Sequence, residues 1–118
     1  MNVLKMVKSF QYAFKGILEL IKSENNAKFH FLATFLVIIA GFIAKLTKWE
    51  WIVIIVIIAL VWSAEAFNSA IEKLCDVFMP EKNVEIGKVK DLAAAGVFFI
   101  VLAALITAIV IFLPKVLI

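Results

Sequence analysis

The chain contains no arginine. Its 12 basic residues are all lysine, and they outnumber the 9 acidic ones to leave a net charge of +3. Any contact that needs a planar, bidentate guanidinium is therefore excluded. Cysteine is nearly absent: the single Cys75 rules out an intramolecular disulfide and says little about redox compartment. Lying on a helix among charged residues, it reads as a small buried side chain. The only prolines are Pro80 and Pro114, so helices can run long between them. Four glycines are present, and none forms a Walker-type loop that would cradle a phosphate. There is no internal repeat, no low-complexity stretch and no sign of a second domain. Between Trp51 and Ala64 there is no charge at all.

What is present is apolar. The chain of 118 residues is 65% hydrophobic, with a mean hydropathy of +1.10. A soluble domain is about half apolar. The reading is an all-α membrane protein, one domain over residues 1–118, with an N-terminal amphipathic surface helix and three transmembrane helices. With this hydropathy, the basic excess points to anionic headgroups or phosphate ligands and away from nucleic acid.

The surface helix covers residues 1 to about 24. Val3, Val7, Phe10, Phe14, Ile17 and Ile21 recur at spacings of four and three, while Lys8, Lys15 and Lys22 recur every seven on another face. Such a helix lies in the membrane interface with lysines toward the headgroups. No cleavable leader is expected, because lysines interrupt its apolar residues. The spans are expected over about 28–46, 51–79 and 88–113. Trp49 and Trp51 mark a membrane–water interface in the turn between the first two. Pro80 stops the second span, and Pro114 is expected to end the third. Lysines concentrate before the first span and after the second, so that side is read as cytoplasmic, with the N-terminus inside and the C-terminus outside.

Four polar residues interrupt this pattern on one face. Glu65, Asn68, Glu72 and Asp76 fall within roughly 80° of one another on a helix. Glu65 comes out roughly 8 Å inside the bilayer, while Glu72 and Asp76 lie at or beyond its edge. A carboxylate in lipid costs on the order of 2.5–3.5 kcal/mol by insertion scales, and chains retain one where it faces a bundle interior or a cleft. Glu65 is thus a candidate general base. Glu24 precedes the first span, and Lys90 and Asp91 open the third. Oxygen ligands with lysines nearby suit Mg²⁺ bridging a polyphosphate. The alternatives stay open: a solvated helix end for Glu72 to Asp76, an ordinary helix start for Lys90 and Asp91, and helix joining for Asn68. His30, between Phe29 and Phe31, reads more simply as an interfacial side chain than as a ligand. Gly16 and a bend at Gly87 are weak signals alone.

These residues carry a resemblance. Tyr12-Ala-Phe-Lys15-Gly16, Glu24-Asn25, Glu65-Ala-Phe-Asn68-Ser-Ala-Ile-Glu72, Asp76, Gly87 and Lys90-Asp91 are together similar to the prokaryotic diacylglycerol kinase family, which includes undecaprenol kinases. The resemblance implies a homotrimer in the bacterial inner membrane, phosphorylating a lipid hydroxyl, of undecaprenol or diacylglycerol, with ATP at the cytoplasmic interface. It implies Mg²⁺ held by Glu24 and Glu72, Glu65 as base and Asn68 as a positioner of phosphates or substrate. Tyr12, Lys15, Gly87, Lys90 and Asp91 would contact the nucleotide. Glu24 and Glu65 would reach one site from different chains. His30 stands where the best-known diacylglycerol kinase branch has a carboxylate, which looks like the undecaprenol kinase branch. A small oligomeric transporter, with Glu65 as a proton or cation site, is the competing function. It leaves Glu24, Lys90 and Asp91 on one side unexplained.

Overall fold

The computed structural model describes residues 1–118 as four α-helices and no strand. Helix α1 spans Val3–Ser23 and starts on Asn2, whose side chain accepts from the Lys5 N–H at 3.1 Å. One extended residue, Glu24, joins it to α2, Asn25–Ala44. Lys45 ends α2 in the left-handed region at φ 55°, with the Leu46 N–H returning to the Gly41 carbonyl at 3.2 Å. Helix α3, Lys48–Phe78, opens on a capping box in which Thr47 and Glu50 satisfy each other's backbone N–H groups. Asn83 caps α4, Val84–Val116, by accepting from the N–H groups of Glu85 and Ile86.

Helices α2, α3 and α4 are each long and apolar enough to cross a membrane. The helices exceed the apolar spans read from hydropathy because polar end turns stay helical outside the oily stretch. Gly87 is accordingly not a bend: it lies in the first turns of α4, since capping by Asn83 starts that helix at Val84. Pro114 does not end α4 either. In the last turn a proline forfeits one hydrogen bond. The helix continues because Lys115 is tied to Glu50 of α3 at 3.1 Å, and the Leu117 N–H reaches the Leu113 carbonyl.

Helix α3 is the element against which the other three pack. Ion pairs clamp it to α4 at both ends, Lys90 to Asp76 by the loop and Lys115 to Glu50 at the far end. Helix α1 is held by Lys73 of α3, which donates to Glu19 at 2.9 Å and to Ser23 at 3.4 Å. That hydrogen bond, with the charge of Lys73 behind it, holds the Glu19 carboxyl below the usual carboxylate range. Only nine residues are buried, and α4 contributes none. Large apolar side chains such as Phe98, Phe99 and Ile109 face outward. That surface suits lipid or partner helices, not water.

The α2–α3 turn rests on one close fit. Gly41 is buried, and a Cβ there would lie 2.6 Å from the Trp51 ring and 3.1 Å from Leu46. Trp51 is also paired with Phe42, ring centroids 4.9 Å apart. Gly41→Ala must displace that ring. The expected cost is about 1–3 kcal/mol, read as a lower unfolding midpoint in detergent. An unchanged midpoint would show that the ring moves freely.

Candidate active site

Along α3 the polar face runs from dry to wet. Glu65 is 1% exposed, Asn68 7% and Ser69 5%. Glu72 is half-buried and Asp76 exposed. The helical rise from Glu65 to Asp76 is roughly 16 Å. Glu65 Oε2, Asn68 Oδ1 and Ser69 Oγ, within about one turn, each lack a hydrogen-bond partner. A buried polar atom left unpaired costs about 1–3 kcal/mol, so three together call for partners that the single chain does not supply. Ser69 was not singled out by the sequence, because a serine in a small-residue stretch carries no distinctive signal.

Opposite Glu65, from α2, stands His30. Its Nε2 is 3.3 Å from Glu65 Oε2, and its side chain is 19% exposed. The imidazole is in contact yet off the line of a hydrogen bond, which is why Oε2 remains without a donor. Catalytic hydrogen bonds are often loosely aligned before substrate arrives. Trp62 and Thr34 lie beside the imidazole. The Trp62 ring meets it edge-on at 6.4 Å, the Trp62 Nε1–H donates to Thr34 Oγ1 at 3.0 Å, and the Thr34 hydroxyl donates to the His30 carbonyl at 2.7 Å. His30 is thus in contact with the buried carboxylate.

The remaining candidates form two further patches. Asp76, Gly87 and Lys90 line a cleft of about 400 Å³ closed by Met79 to Val84. Lys90 is bound to Asp76 there, and Asp91 is exposed without an ionic partner. Tyr12 and Lys15 are exposed on α1. Beneath α1, Gly16, Glu19, Ser69 and Lys73 border a second cleft of about 350 Å³. Glu24 sits half-buried at the α1–α2 corner and forms no cap bond or ion pair. Within one chain, no three His, Cys, Asp or Glu side chains converge as a metal cluster.

The sequence pattern of the family described as prokaryotic diacylglycerol kinase matches residues 11–112. This chain belongs to that family. It is 35% identical to the undecaprenol kinase of Bacillus subtilis (strain 168) over 111 residues, covering 94% of this chain and 90% of the relative. It is 32% identical to the diacylglycerol kinase of Haemophilus influenzae over 94 residues, covering 79% of each. The protein is a lipid kinase of the membrane. The transporter reading of Glu65 finds no support in these relatives.

Proposed function

We propose that this kinase transfers the γ-phosphoryl group of ATP to the hydroxyl of undecaprenol, in preference to diacylglycerol, on the cytoplasmic side of the bacterial inner membrane. The observation that carries the reading is the burial of Glu65 with a free carboxylate oxygen. Fuller coverage by the undecaprenol kinase relative supports the choice of lipid. Glu65 takes the proton of the attacking hydroxyl. Asn68, one turn on, orients the acceptor or the phosphate with its free amide oxygen. Lys90, Asp91 and Gly87 hold the nucleotide, with Tyr12 and Lys15 reaching it from α1. The working unit is a homotrimer.

The donor set fits Mg²⁺. Glu24 and Glu72 are hard oxygen donors, and neither is engaged by a lysine of its own chain. Mg²⁺ takes one or two carboxylates together with substrate phosphates, so a larger protein cluster is not required. When bound, it supplies neutralisation of phosphate charge. Removing either carboxylate should raise the Mg²⁺ concentration needed for half-maximal turnover. Removing both should add little beyond one. Additive losses at unchanged Mg²⁺ dependence would separate the two residues.

The reading is tested with purified full-length protein, Mg-ATP and each lipid alcohol in matched micelles. Faster phosphate transfer to undecaprenol is expected. A clear preference for diacylglycerol reverses the choice of substrate, and transfer to neither lipid refutes it.

A further inference from the structure

Glu65 is well placed to accept a proton and poorly placed to dispose of it. At 1% exposure it is shielded from solvent by its own chain. A base that stays protonated is spent after one turnover. The only titratable side chain paired with it is His30, at 3.3 Å, and no lysine reaches it. His30 is 19% exposed, less deeply buried than the carboxylate it contacts. Its ring lies edge-on to Trp62, whose Nε1–H donates to Thr34 on the same helix as His30.

We propose that His30 is a positioning residue that relays the substrate proton: Glu65 passes the proton taken from the lipid hydroxyl to His30 Nε2, and His30 releases one to water. The proposal rests on Glu65 being the base. The balance is simple. As the lipid oxygen bonds to phosphorus, the O–P bond to the leaving nucleotide breaks and the hydroxyl proton moves to Glu65. Protonated Glu65 and neutral imidazole then become carboxylate and imidazolium. Loss of a proton from the imidazolium restores the starting pair.

The other charged groups of these elements stand apart from this pair. On α2 they are Glu24, before the helix, and Lys28. On α3 they are Glu72 and Lys73, the latter bound to Glu19 of α1, whose Lys22 lies one turn further along. On α4 they are Asp91 and Lys90, the latter bound to Asp76. None forms an ion pair with His30 or Glu65.

His30→Gln keeps bulk and hydrogen bonding but cannot carry the proton. Expected are a loss in kcat of about tenfold or more and little change in KM for lipid or ATP. Wild-type kcat, or a loss carried by KM alone, overturns the relay. Glu65→Gln measured alongside separates the two ideas. Wild-type turnover there removes the base, and with it the relay. A dead Glu65→Gln beside a fully active His30→Gln removes the relay alone. Should His30→Gln fail to assemble, His30→Ala with added imidazoles of graded basicity decides. Rescue that tracks basicity supports proton transfer. Rescue indifferent to basicity, or none, overturns it.

Discussion

Glu65→Gln is expected to abolish turnover while nucleotide binding persists. The amide preserves the volume of a side chain that is 1% exposed, so the packing between α2 and α3 survives. What disappears is the acceptor for the hydroxyl proton. Loss of a general base is typically about 10²–10⁴-fold in rate. The polar groups of the α3–α4 cleft lie at the wet end of α3, some three turns from the change, so ATP affinity should stay near that of the unaltered protein. Phosphate transfer to lipid and calorimetric nucleotide binding, measured on one preparation, give both halves of the result. Turnover near the unaltered rate would mean that another group takes the proton, or that none needs to.

The second large effect is a recovery. One chain does not gather its carboxylates: Glu24 stands at the α1–α2 corner, and no acidic cluster forms around it. In the proposed trimer, Glu24 of one subunit serves the same site as Glu65 of its neighbour. Glu24→Gln and Glu65→Gln subunits, each inactive alone, should therefore regain activity when assembled together. Some interfaces then receive both intact residues. With random mixing of equal amounts, about a quarter of the sites should be complete. Differential tags verify that mixed assemblies have formed. If verified mixed assemblies stay inactive at every ratio, the two residues serve one chain.

The polar face of α3 was legible in the sequence, because a helix places Glu65, Asn68, Glu72 and Asp76 by angle alone. Their graded burial follows from how far each lies past the uncharged run that begins at Trp51. The contact between His30 and Glu65 was not legible. It depends on the register of α2 against α3, which is set by a left-handed Lys45 and by the fit of Trp51 onto Gly41. Periodicity within one helix carries no information about its offset from another. Pro114 misled for a related reason. Its cost is local, while the bond that holds the last turn runs from Lys115 to Glu50, far away in the chain.

Glu24 occupies the N-cap of α2 and makes no capping hydrogen bond there. Asparagine or serine at that position would satisfy a free N–H of the first turn and stabilise the helix by about 1 kcal/mol. The chain forgoes that gain and keeps a longer carboxylate with its oxygens free. Glu24→Asn should therefore give a protein that melts higher and phosphorylates less. Selection for thermal tolerance alone would drift toward it and discard the enzyme.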